Sequence, residues 1–260
     1  MRPPPSVLPV PLPPKSAIDE RPKTGPANVA ERADKGGRNG KGPAILCDFD
    51  GTVTVCEVST SLLDEFSGHR WRDADGDLLA GRMTLRETME REFGLLRAPR
   101  RRMEAFVGRI HLRPGFAELV AEASARSAPL LIVSEGLDFY IAAILRHRGL
   151  SVEYRTNHAV FSVRRTGGRP GGIVVEHPYS SKGCDRCGTC KKAQLEQFRD
   201  MGCETVYIGD GISDRCPARH ADVLFARNGL LDFCRSEGIR CLPYDDFHDV
   251  LGALRARYWK

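Results

Sequence analysis

Three short, largely apolar runs, at 44–49, 129–133 and 205–208, break off into polar residues. Asp48, Asp50 and Gly51 finish the first, Ser134, Glu135 and Gly136 follow the second, and Gly209, Asp210 and Gly211 follow the third. Continuous apolar runs of this length, without the alternation of a half-wet strand, are what a parallel strand covered on both faces produces. Helical spacing fills 116–126, 137–148, 191–201 and 247–257, and further strand-like runs lie at 222–226 and 239–242. Strands alternating with helices predict an α/β fold, a Rossmann-like doubly wound parallel sheet with helices on both faces. Ligands of such sheets sit in the crevice outside the carboxyl ends of the strands, so acids delivered there are placed for chemistry rather than packing. For Asp48 to Gly51 alone, a solvated Asp-Gly turn remains the alternative.

The alternation is interrupted in three places. Residues 57–112 follow the first strand with no second strand of their own, which predicts a small helical insertion. Within it Met83, Leu85, Met89 and Phe93 form a stripe expected to be core rather than a cofactor site. Arg113-Pro114-Gly115 punctuates the return to the main domain, and Gly149 is placed to cap the helix before it. Residues 152–177 alternate around a glycine-rich turn at 167–172, which predicts a β-hairpin inserted in the sheet domain. The first 43 residues hold ten of the 17 prolines and no aromatic residue, so they cannot bury enough surface to offset chain entropy and are expected to be a disordered tail. The expected domains are therefore a tail at 1–43, a catalytic core at 44–56 and 113–260, and a helical cap at 57–112.

Charge follows the same boundary. The tail carries eight Lys/Arg against four Asp/Glu, leaving only +1 of the formal +5 for the body, so no nucleic-acid footprint is expected on the folded part. No apolar run is long enough for a membrane span, and nothing at the N-terminus has the make-up of a signal peptide. Nine cysteines, an odd number, several within strand or helix segments, imply a reduced, cytoplasmic protein.

Taken in order, Asp48-Phe49-Asp50-Gly51-Thr52, Ser134, Lys191 and Gly209-Asp210-Gly211-Ile212-Ser213-Asp214 resemble the four motifs of haloacid-dehalogenase-like phosphohydrolases, over roughly 44–255. The insertion resembles the helical cap of the phosphoserine-phosphatase-like branch. FGLL, DFY, a cysteine-rich approach to the lysine, GDGISD, ADVLFAR and LPYDDF resemble the methionine-salvage phosphatases of that superfamily. The resemblance implies Asp48 as nucleophile forming an aspartyl-phosphate and Asp50 as general acid and base. It implies Mg²⁺ held by the Asp48 and Asp210 carboxylates and the Asp50 carbonyl, with Asp214 behind the metal or orienting Lys191. Ser134 and Lys191 would bind phosphoryl oxygens, and Glu57, at the cap entrance, would face a small phosphorylated metabolite.

Two positions depart from that pattern: Glu135 stands where Ser-Gly-Gly is usual, putting an acid near the substrate, and the long tail is additional. Lys192 competes with Lys191 for the lysine role; the resemblance favours Lys191, which directly follows Cys190 as the family's lysine follows a cysteine. A phosphotransferase or mutase is the alternative within enzymes. Cys184, Cys187 and Cys190 offer a different one, a zinc-dependent binding module with His177 or Cys203 as fourth ligand.

Overall fold

The computed structural model describes residues 41–161 and 172–259. Most of the expected tail, 1–40, and the glycine-rich turn of the hairpin through 171 lie outside the described residues. The sheet has seven strands in the order β4-β3-β2-β1-β5-β6-β7. These are β1 (Lys41–Cys47), β2 (Leu130–Leu137), β3 (Glu153–Phe161), β4 (Ile173–Glu176), β5 (Cys203–Gly209), β6 (Val223–Ala226) and β7 (Leu242–Pro243). Every pairing is parallel except β3 with β4, which is the expected hairpin.

β1 sits at the centre, with Ile45 to Cys47 paired to β2 on one side and β5 on the other. Its side chains alternate between two cores. Ile45 and Cys47 join Ile132, Val206 and Ile208 on one face, while Ala44 and Leu46 join Leu131, Val133 and Tyr207 on the other. Both faces are dry, so no polar alternation was available to mark the strand, and each buried Ile or Leu contributes roughly 1.5–3 kcal/mol. The strand starts earlier than the sequence suggested, because residues 41–43 pair with β5 rather than belonging to the tail. Pro43 is tolerated there because the pairing to β2 begins only at Ile45, so its missing N–H is not needed.

The helices between β1 and β2 are α1 (Val58–Phe66), α2 (Arg72–Leu79), α3 (Leu85–Phe93), α4 (Arg100–Val107) and, on the return, α5 (Phe116–Ala125). A 3-10 turn, His69–Trp71, joins α1 to α2. α3 is closed at its start by a capping box between Thr84 and Glu87. The insertion is fastened to the main domain at several points. α4 packs on α6 (Asp138–His147), and the Arg86 guanidinium donates to the Cys187 carbonyl at 2.9 Å. The remaining helices are α7 (Lys191–Asp200), α8 (Arg215–Ala218), α9 (Asn228–Glu237) and α10 (Phe247–Arg257). α9 was not foreseen from the sequence. Gly149 follows α6 with φ +65°, in the role expected of it.

Candidate active site

The carboxyl ends of β1, β2 and β5 and the start of α7 deliver their polar residues to one crevice. Lys191, 3% exposed, donates from Nζ to Asp48 Oδ1 at 2.8 Å, Asp214 Oδ1 at 2.6 Å and Ser213 Oγ at 2.8 Å. Burial alone would lower its pKa, but Asp214 and Asp48 outweigh that and hold the ammonium above an ordinary lysine. Lys192, one residue on, pairs instead with Glu196 on the surface at 3.4 Å.

Asp214 is the hub of this floor. Oδ1 accepts from Lys191 and from the Tyr207 hydroxyl at 2.6 Å, and Oδ2 accepts from the backbone N–H of Asp210 at 2.9 Å and Gly211 at 3.0 Å. Gly209 is needed because a Cβ there would come within 2.6 Å of the Asp214 carboxyl group. Asp210 accepts from the Thr52 hydroxyl at 2.8 Å and from Asn228 Nδ2 at 3.3 Å. Asn228 itself adopts φ +46°, which asparagine tolerates better than most residues.

Asp50 points away from Asp48's lysine. Its Oδ1 accepts from the N–H groups of Val58 and Ser59 at 2.8 and 3.1 Å, at the start of α1, and its Oδ2 from the Tyr140 hydroxyl at 2.7 Å. Burial raises its pKa, against the pull of Tyr140 and the two N–H groups. Gly136 belongs to the same arrangement, since a Cβ there would overlap the Tyr140 hydroxyl. The Ser134 side chain is oriented by the N–H of Gly136, which donates to Oγ at 2.9 Å.

The loop after β1 is fixed from below by Arg113, whose Nε donates to the Thr52 carbonyl at 2.9 Å and whose NH2 donates to the Gly51 carbonyl at 2.6 Å. Gly51 is left-handed, φ +72°, and a Cβ there would lie 2.5 Å from Glu57 Oε1 and 2.6 Å from Asp210 Oδ2. Glu57 thus stands over the β1 turn beside Asp210. It keeps an exposed edge, yet burial of the rest and the charges of Asp50, Asp210 and Asp214 push its pKa up to about 8.

Glu135 lines the cleft, but its Oε2 accepts from the N–H groups of Gly188 and Thr189 at 3.0 and 3.2 Å. The acid that departs from the usual pattern therefore ties the β2 turn to the cysteine-rich loop that carries Lys191. Asn157 completes that tie, donating to the Glu135 carbonyl at 2.6 Å.

Among the described residues, the one group of three acidic, His or Cys side chains whose ligand atoms all lie within 4.8 Å of one another is Asp48, Asp210 and Asp214. All three are buried, and one lysine leaves them short of positive charge. Burial and then Asp214 accordingly raise both Asp48 and Asp210, Asp48 well above the usual carboxylate range. An all-oxygen site with surplus negative charge fits a hard divalent cation. The zinc alternative gains no such support. Cys184, Cys187 and Cys190 do not form a group of this kind, and all nine cysteines are free thiols. His177 is engaged at both ring nitrogens, by Asn157 and Glu90, each at 2.8 Å, while Cys203 opens β5 at the end remote from the crevice.

Above the floor lies a cleft of about 440 Å³, roofed by α1, the 3-10 turn, α2 and α3. Leu85 and Met89, expected in the core, line it, while Phe93 of the same stripe is fully buried. A stripe that spans both core and cleft has no distinct periodicity to mark the boundary. Thr52 belongs to the first motif, though its hydroxyl bond to Asp210 is not marked by the sequence, and sequence reasoning missed the roles of Arg113, Tyr140, Tyr207 and Asn228. Tyr140 lies in the DFY segment noted above, and Arg113 was read only as a chain break.

A fold and site of this kind define a hydrolase class, and residues 45–219 match the family model described as haloacid dehalogenase-like hydrolase. The chain belongs to that family. It is 32% identical over 214 residues to a 2-hydroxy-3-keto-5-methylthiopentenyl-1-phosphate phosphatase of Bacillus velezensis, covering 80% of this chain and 88% of that protein. The protein of the same description from Geobacillus kaustophilus is 33% identical over 215 residues, covering 81% and 94%. Among solved structures, a phospho-aspartyl intermediate analogue of phosphoserine phosphatase superposes with a TM-score of 0.61 at 21% identity, covering 83% of this chain and 99% of the other. No helix among the described residues is long and apolar enough to cross a membrane.

Proposed function

We propose that this chain is a Mg²⁺-dependent phosphomonoesterase that hydrolyses a small phosphorylated metabolite through a phosphoryl group carried on Asp48. The observation that carries the reading is the convergence of Asp48, Lys191, Asp210 and Asp214 at the strand ends, in a chain of this family. Mg²⁺ would be held by the Asp48 and Asp210 carboxylates and the Asp50 carbonyl. Asp214 lies within reach but is already engaged by four donors. When bound, the ion supplies positive charge against phosphoryl oxygens and the nucleophile.

An Asp48 oxygen forms the bond to phosphorus while the ester oxygen leaves with a proton from Asp50. The raised pKa of Asp50 suits it to carry that proton, and Tyr140 holds the carboxyl group in place. Water then attacks the same phosphorus, passes a proton to Asp50, and frees phosphate and Asp48. Ser134 Oγ and Lys191 Nζ bind phosphoryl oxygens through both steps, and Glu57 meets the substrate at the cleft edge. Glu135, which lines the cleft, meets the substrate there and also positions the segment that leads to Lys191. Residues 57–112 serve as a cap over the core at 44–56 and 113–260, opening to admit substrate and closing to exclude water. The free thiols fit a reducing compartment, the cytoplasm.

The test is p-nitrophenyl phosphate hydrolysis by the purified full chain. Activity should require added Mg²⁺ after chelation, and Asp48→Asn should lower kcat by at least ~10⁴-fold with the fold intact. Activity retained in Asp48→Asn would remove Asp48 as nucleophile.

A further inference from the structure

The acids of the cleft floor are met by Lys191, by hydroxyl and amide donors and by backbone N–H groups, but those of its roof are not. Glu92 on α3 is 7% exposed and lines the cleft, yet no hydrogen-bond donor or cation among the described residues meets its carboxylate. Asp75 on α2, half-buried, lines the same space and meets no donor or cation among the described residues either. Among the described residues, no Lys or Arg lines the roof side of the cleft. The neighbouring walls are Leu63, Trp71, Leu78 and Met89, apolar surfaces with one large aromatic ring.

Glu92 is held in a nearly buried residue position with its carboxylate turned to the cleft and no donor of the chain's own, the kind of environment in which acids serve a ligand. A Mg²⁺ bound at the floor is held by other carboxylates. We propose that the roof is a cation subsite, and that the phosphate ester turned over here carries an ammonium group seated against Glu92 and Asp75. Apolar walls around two acids are suited to an alkylated ammonium, above all a quaternary one whose charge is spread over weakly hydrated methyl groups; Trp71 contributes its ring although one face is stacked by the Arg72 guanidinium at 4.6 Å. A neutral alkyl or thioether tail would fill the same walls but leave Glu92 facing it without a donor. Burial and the charge of Asp75 push the pKa of Glu92 up to about 7. This inference rests on the phosphatase reading above and adds the chemical class of the leaving group.

The test compares shape-matched esters on the Mg²⁺-loaded full chain: phosphocholine against 3,3-dimethylbutyl phosphate, and phosphoethanolamine against propyl phosphate, with p-nitrophenyl phosphate as reference. In at least one pair, kcat/KM for the cationic ester should exceed its neutral partner by about tenfold or more, mainly through KM. Glu92→Gln should cut that ratio by about tenfold, and Asp75→Asn should cut it by less. Ratios near one in both pairs for the unmodified chain would overturn the cation subsite, as would a ratio preserved in folded Glu92→Gln. Should Glu92→Gln not fold by thermal melting, the unmodified chain and Asp75→Asn decide the matter by the same criteria. Failure to hydrolyse any ester, p-nitrophenyl phosphate included, would instead overturn the phosphatase reading.

Discussion

The two surfaces that face each other across the cleft treat buried acids in opposite ways. On the floor, Asp214 accepts from four donors and Asp50 from three, so each carboxylate is fixed in one orientation. On the roof, Glu92 is nearly as buried and accepts from none among the described residues. A saturated acid is held for chemistry that must be repeated with the same geometry, whereas an unsaturated one waits for a group brought by the ligand. On the reading proposed above, the floor carries the reaction and the roof the choice of substrate.

The contrast can be broken from either side. After the loss expected of Asp48→Asn, the largest effect is expected at Lys191: Lys191→Met should lower kcat by ~10²–10³-fold, because it removes the charge proposed to face the phosphoryl oxygens and leaves Asp48 and Asp214 to repel one another. A loss confined to KM would show that the lysine only gathers substrate. The smaller effects are on stability, read as differences in denaturant midpoint across pH. Asp214→Asn should cost about 3 kcal/mol or more at neutral pH, since it leaves a buried ammonium short of its partner.

Glu92→Gln should act in the other direction. A folded pKa of about 7 against an ordinary value of 4.5 means the folded state holds the proton longer than the unfolded chain. The wild-type stability linked to this group is complete below about pH 4.5 and is lost as pH rises to about 7. Relative to wild type, Glu92→Gln should therefore gain roughly 2–3 kcal/mol between those limits and hold the gain above them. A difference that does not change with pH would mean the roof acid is satisfied in solution.

The same division explains what could be read in the chain. The floor was legible because strand ends break an apolar pattern abruptly: Asp48, Asp50, Ser134 and Asp210 are each the first polar residues after a buried run, and Lys191 opens a helix beside them. The parallel sheet and the hairpin followed from the same runs. Residues that hold the floor from the side were not legible. Tyr140 and Tyr207 occupy core positions and differ from phenylalanine by one hydroxyl, and Asn228 begins a helix, α9, whose polar letters hid its apolar face. The roof was hidden for a further reason. Glu92 sits next to core Phe93 on an amphipathic helix, where an acid reads as solvated, and only the packing of α2 against α3 turns it inward.

The measurement that bears most directly on the floor is the stereochemical course at phosphorus, using a phosphate ester made chiral with oxygen isotopes. Transfer to Asp48 followed by attack of water comprises two in-line displacements, so the released phosphate should retain configuration. Inversion would mean that water attacks the ester directly, and would contradict the central role given to Asp48.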